Sequence, residues 1–334
     1  MGNGRASRKI QGSGGTGGPV RKSAFRVSSA RGRNARKDRD LILNLVLNVL
    51  PELIAVLASF ALSVASVISK GALRHAPPFT GAVMFALVPL ILLGPWVSFL
   101  VPSGVGTREG FFWFLLSGVI HPGLAITFLL LGNRRVGISR TATLCGMAPL
   151  ISGLIGVFFL GERPDWTVWL GGLLIVGGVV TISGEKSGDR FKRKDFLFPI
   201  LAGLALGVTP VLRKLGLMHV PFPIYGVVTA ALGGVLGLSA MARFFPRGER
   251  LRLAPKGLLF FGWAASFALA GRLLFFDALN RGDFSRVVFL IHTMPLWVLL
   301  LSWLFLRESE RITSRLVAAT VVVVLGIGVI SMGV

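Results

Sequence analysis

The sequence predicts an all-α integral membrane protein of ten transmembrane helices. They form two inverted five-helix repeats, preceded by a disordered basic tail. Three observations predict this. Of the 334 residues, 53% are hydrophobic and 15% charged, with mean hydropathy +0.74; a soluble domain carries about 25% charged residues. The charges gather between apolar runs long enough to cross a bilayer, which takes about 20 residues per helix. Lastly, SRTATLCGMAPLISGLIGVFFLGE (139–162) returns 146 positions later as SRVVFLIHTMPLWVLLLSWLFLRE (285–308).

The tail, residues 1–40, holds 11 Lys/Arg against two Asp and is rich in Gly and Ser. It cannot bury a core and is expected to be disordered. A cleavable signal peptide is not expected, because the following apolar run is too long and no cleavage-type segment ends it. The net charge of +22 suits anionic lipid head groups as partners. Nucleic acid is not expected as a partner, since Phe25 is the tail's one aromatic and no recognition module is present. Cys145 is the one cysteine, so a disulfide within the chain is excluded.

The spans fall near 49–70, 80–101, 110–131, 139–160, 166–183, 196–217, 222–243, 257–279, 285–306 and 313–333. Residues 41–183 make the first repeat, 184–195 a basic linker loop, and 196–334 the second repeat.

The repeat runs beyond one helix. Residues 139–170 align without a gap onto 285–316 with 11 of 32 positions identical, among them Ser139/Ser285, Arg140/Arg286, Pro149/Pro295 and Glu162/Glu308. At an offset of 144, Lys70, His75 and Pro77 fall on Lys214, His219 and Pro221, so both first helices end K-x-x-x-x-H-x-P. Five is odd, so the second repeat enters the membrane from the opposite side. Such an inverted pair suits alternating access, because exchanging the conformations of the halves converts one open state into the other.

These residues resemble the EamA-type domain of the drug/metabolite transporter superfamily. The likeness rests on S-R-T-A-T-L…M-A-P-L…F-F-L-G-E…W-L-G-G-L-L-I-V-G-G-V-V in the first half, and on F-x-x-A-L-x-x-G-D-x-S-R (275–286) before P-L…L-F-L-R-E in the second. It covers roughly residues 50–333. The chain departs from the family pattern at Leu62-Ser63 and Leu206-Gly207, where an aromatic-Gly pair is usual, and at Arg307-Glu308 in place of Gly-Glu. The resemblance implies a secondary transporter of small metabolites, moving amino acids or similar solutes outward. The cavity is expected between helices 1, 3 and 4 and their counterparts 6, 8 and 9. Uptake or exchange of an anionic phosphorylated or nucleotide-linked sugar is the rival within transport. A non-transporting protein that handles lipid or assists assembly is the rival from another class. A homodimer stays open.

Ionisable groups inside spans are costly and mark function by default. Arg272 lies about eight residues, or ~12 Å, from its helix end; it either binds an anionic substrate group or pairs with Asp277. His121 and His292 sit mid-span and either couple protons or are neutral and satisfied by a helix backbone. Lys70 and Lys214 recur near helix ends, where snorkelling and a gating role are both open. Glu162 and Glu308 are expected to stabilise the N-terminus of the helix that follows each. Arg140 and Arg286 start helices, an unfavourable place for a cation without an anionic partner. Pro149 and Pro295 break backbone hydrogen bonds mid-helix and are expected to face the cavity, with Thr141, Thr143 and Thr293 as polar lining.

No P-loop, H-E-x-x-H, G-x-S-x-G or intramembrane carboxylate pair occurs, so an enzyme is disfavoured and neither cofactor nor metal is expected. Charge gives sidedness two answers. Excluding the tail, the face where the first span starts collects six Lys/Arg, with Arg213 and Lys214 counted among them, and the opposite face 18. The resemblance implies cytoplasmic termini and a bacterial inner membrane, and a basic tail resists translocation.

Overall fold

Proline and threonine at the starts of the apolar runs set where helices begin. The computed structural model describes residues 50–136, 141, 144–183, 193–244, 251–305 and 314–332. The first helix, α1, spans Leu50–Ala72. Helix α2 (Pro78–Leu93) opens on Pro78 and runs on through a 3-10 turn to Val97–Leu100. Proline suits a first helical turn, where its missing N–H has no intrahelical partner to lose. Thr107 caps α3a (Arg108–Gly118) by accepting from the Gly110 N–H at 3.1 Å. A π-helical segment, Val119–Leu124, separates α3a from α3b (Ala125–Val136).

Helix α4 (Ala148–Leu160) ends on Gly161, whose φ of +69° is the left-handed conformation that glycine adopts without strain. Then come α5 (Trp166–Ser183), α6 (Leu197–His219), α7 (Pro223–Met241) and α8 (Pro255–Arg281). The ninth span is α9a (Phe284–Ile291) and α9b (Met294–Phe305), and the last is α10 (Ser314–Ser331).

Six of the ten expected spans are helices long and apolar enough to cross a membrane, and the other four are shorter apolar helices. The described residues include no β-strand. Large apolar side chains face outward, Phe99 at 82% and Phe158 at 81% exposed, as a lipid-facing surface requires.

Two expected spans are not continuous. The fourth breaks at Gly146–Met147 and the ninth at His292–Thr293. Proline clashes with the carbonyl four residues back and cannot donate to it. The chain therefore ends one helix and starts another, with Pro149 in the first turn of α4 and Pro295 second in α9b. Bonds from Met147 N–H to Leu144 O (3.2 Å) and from Thr293 N–H to Leu290 O (3.1 Å) close the breaks.

Packing is unequal between the two membrane faces. The chain's loops 161–165, 220–222 and 282–283 share a face with the start of α1; we call it the N-terminal face, and the opposite one the linker face. The largest buried cluster lies toward the N-terminal face. It includes Ala55 and Ala58 of α1, Phe114 of α3a, Leu217 of α6, Phe276 and Leu279 of α8, and Phe284, Val287 and Val288 of α9a.

Candidate functional site

The broken helices create the site. At each break, backbone groups leave the regular ladder, and the surroundings decide what satisfies them. Around the ninth span, α1 supplies hydroxyls. Ser59 Oγ meets Thr293 Oγ1 at 3.0 Å, Thr293 Oγ1 donates to Leu290 O at 2.8 Å, and Ser63 Oγ donates to Met294 O at 2.9 Å. Thr293 is fully buried. It pins the break to α1 and is not among the residues lining the cavity, contrary to its expected role as lining. Thr141 is also fully buried, packed against Gly132 of α3b rather than lining the cavity. At the ninth span the hydroxyl next to the helix break thus serves the backbone.

Between the breaks lies a cavity of about 550 Å³. Helices α1, α3, α5, α6, α8 and both broken spans line it, with Phe85 from α2. The participation of α5 through Ile175 and Val176, and of α2, goes beyond the six helices expected.

Its polar groups are Ser66, His121, Thr209, Arg213, Arg272 and His292. His121 sits in the π segment with non-helical angles (φ −138°, ψ 116°). His292 ends α9a, and its Nδ1 donates to Val288 O at 2.7 Å. Arg272 Nη1 donates to Phe85 O at 2.7 Å, with the guanidinium 5.9 Å from the Phe85 ring centroid. The alternative partner Asp277 is taken instead by Arg281, at 2.8 Å and one helical turn away. Pro149 lines the cavity as well.

Arg213 is the residue that sequence reasoning missed. Beside Lys214, near a span end, it reads as a snorkelling cation. The helix runs on to His219, and Arg213 is 9% exposed within it. Its guanidinium lies 5.2 and 5.8 Å from the Phe276 and Phe275 centroids, and its Nε is buried without a hydrogen-bond partner. Lys214, one position on and about 100° round the helix, points elsewhere. Its Nζ donates to Leu279 O at 2.6 Å and Gly282 O at 3.3 Å, stitching α6 to the carbonyl end of α8. Lys70, its counterpart in the repeat, is exposed.

At the N-terminal face the site is closed by an ionic cluster. Glu162 does stabilise a helix N-terminus, but not that of the helix following it. Its carboxylate accepts from the Phe284 N–H (2.5 Å), the Ser285 N–H (2.9 Å) and Ser285 Oγ (2.6 Å). It therefore caps α9a of the other repeat. The turn at Gly161 swings the carboxylate across, a tertiary geometry that local spacing cannot foretell. Arg286, expected to need an anionic partner, has three acidic ones: Glu52 at 3.1 Å, Asp283 at 3.5 Å and Asp165 at 3.8 Å. Those acids went unnoticed in the sequence because each lies far from Arg286 along the chain or in a loop. Arg140, Thr143 and Glu308 lie outside the described residues, as does the tail, and nothing is described of the Pro295 side chain. Among the described residues, no group of His, Cys, Asp and Glu could hold a metal ion.

Comparison with known proteins agrees with this architecture. The model of a family described as the EamA-like transporter family matches residues 49–184 and again residues 194–332. An uncharacterized transporter of Bacillus subtilis (strain 168), YwfM, is 33% identical over 141 residues, or 42% of this chain. The match spans 47% of that relative, about half its length. A crystal structure sharing 18% identity superposes with a TM-score of 0.68, covering 84% of this chain and 96% of the other; at that identity the likeness is one of fold.

Proposed function

The chain belongs to the EamA-like transporter family, and from that premise we propose that it moves small metabolites across a membrane by alternating access, as a secondary transporter. The observation that carries this reading is the cavity of about 550 Å³ between two helix breaks, with dense core and an ionic cluster between it and one membrane face. Its size falls within the range of about 300–1,000 Å³ usual for small-molecule sites. The family-implied solutes are amino acids or similar metabolites moving outward. The proposed setting is a bacterial inner membrane with cytoplasmic termini, the basic linker-face loops meeting anionic head groups.

Alternating access needs an element with two arrangements. Here α9a is such an element: it is eight residues long, hinged at His292–Thr293, and held at its other end by Glu162 and Arg286. Releasing that end lets α9a tilt without unwinding α9b.

Reconstituted protein in liposomes, given an outward gradient of radiolabelled amino acids or of a broader metabolite mixture, is expected to show saturable flux without ATP. Absence of flux for every solute, together with a co-purifying lipid or protein, would replace transport with a lipid-handling or assembly role.

A further inference from the structure

We propose that Arg213 and Arg272 form an anion site in the central cavity, taking an organic solute with one acidic head group and an apolar body. This rests on the transporter reading of the same cavity and adds the class of solute.

The argument starts from cost. An ionised side chain taken out of water is retained only if paired or hydrogen-bonded. The chain itself provides the comparison. Arg286, also buried, is met by Glu52, Asp165 and Asp283. In the cavity the same chain buries two arginines, and none of the described residues lining it is acidic. Both guanidiniums line the same cavity, so like-charge repulsion adds to desolvation.

Their aromatic neighbours reduce the cost without removing it. Phe275 and Phe276 flank Arg213, and Phe85 flanks Arg272. Cation–π contact offers a face, not an acceptor, and a guanidinium carries five N–H donors. One Arg272 donor goes to Phe85 O, whereas Arg213 Nε is buried without an acceptor. An oxyanion between the two would take up the remaining guanidinium donors as charge-assisted hydrogen bonds and cancel the repulsion.

Apart from Ser66, His121, Thr209 and His292, the remaining wall is mainly apolar, with Leu62, Leu129, Val176, Leu206 and Ile291. It suits a hydrocarbon or aromatic body and holds no carboxylate for an ammonium group. The site thus favours net negative solutes over zwitterions and amines, which places organic anions ahead of the amino acids that the family suggests. Carboxylate and phosphate share the oxyanion chemistry, and the experiment separates them.

The test uses the purified full chain in detergent and five probes with a common phenyl body: 3-phenylpropionate, phenyl phosphate, phenylalanine, 3-phenylpropylamine and 3-phenylpropan-1-ol. Either anion or both are expected to raise the melting temperature in a saturable way, the responding one naming the head group. The amine and the alcohol are expected to have no effect, and phenylalanine a smaller one than the responding anion. Arg213→Met and Arg272→Met are each expected to weaken anion binding by about tenfold or more, the factor of a lost charge-assisted hydrogen bond. Without ligand, Arg213→Met is expected to melt no lower than the parent, since it removes a buried cation that no acid balances. Arg213→Lys keeps the charge and is expected to retain part of the binding.

Equal stabilisation by amine or alcohol, no response to either anion, or undiminished anion binding in both Met variants would overturn the anion site. Flux of phenylalanine without anion binding would overturn it too, while leaving transport intact.

Discussion

Glu162 shows how one side chain can join the two repeats. Its carboxylate meets two backbone N–H groups that begin α9a and the Ser285 hydroxyl. An anion at a helix N-terminus is worth about 0.5–2 kcal/mol as cap and dipole partner. Glu162→Ala is therefore expected to lower stability by about 1–2 kcal/mol. Glu162→Gln, which keeps an acceptor but not the charge, should lose about half of that. Thermal unfolding in detergent checks both, and equal melting of parent and Ala variant would show that the cap contributes nothing. The dipole role itself was readable from a Glu after a helix-ending Gly. The helix it serves was not, because α9a lies 122 residues away along the chain. Arg272 was legible for the opposite reason: a lone cation deep in an apolar run is anomalous without any tertiary knowledge. Arg213 hid beside Lys214, where two adjacent cations look like a helix end.

At the scale of elements, small residues decide which helices touch. A Cβ on Gly118 of α3a would fall 1.8 Å from the Ala230 carbonyl oxygen, and one on Gly233 of α7 would fall 2.0 Å from the Leu115 oxygen. The two helices thus meet backbone to backbone, as the Gly233-x-x-x-Gly237 spacing suggests. Neither carbonyl can swing aside as a side-chain tip can. Gly233→Ala is expected to cost about 1–3 kcal/mol, the usual range for overpacking. Gly177→Ala in α5 meets nothing within 4 Å and is expected to be neutral or stabilising by up to about 1 kcal/mol, since alanine is the better helix former. Paired melting curves test this, and equal losses at both positions would refute the packing account. Ten apolar runs and their prolines made the elements readable. Pro149 and Pro295 say that the backbone ladder is interrupted mid-helix, but not which hydroxyls hold the two ends. Ser59 and Ser63, which do so for the ninth span, look like ordinary small residues in an apolar helix.

For the whole molecule, the uneven packing defines a conformation sealed at the N-terminal face. The main core and the Arg286 cluster lie there, while Ser66, Leu129, Cys145, Gly146 and Leu206 carry the cavity toward the linker face. Sidedness by charge also sharpens. With Arg213 lining the cavity and Lys214 bonded to α8, the six cations counted at the N-terminal face reduce to Arg108, Arg163, Arg281 and Arg286, so loop charge alone favours a cytoplasmic linker face, against the cytoplasmic termini proposed from the family and the basic tail. Cys145, the chain's one cysteine, lines the cavity and makes the conformation testable without engineering a label. A membrane-impermeant maleimide is expected to modify Cys145 from the linker face and not from the N-terminal face, with a C-terminal reporter fusion fixing which face is outside. The seal depends on Arg286 with its buried partner Glu52, since Asp165 and Asp283 are mostly exposed. Replacing both members, Glu52→Gln with Arg286→Gln, removes the pair without leaving an orphaned buried charge. If the pair favours the sealed state by about 1.4 kcal/mol, its loss shifts the equilibrium by about tenfold, and linker-face labelling should slow by a comparable factor where that state no longer dominates. Labelling at equal rates from both faces in the parent, or a rate unchanged in the double variant, would mean that the ionic cluster holds α9a in place without governing access.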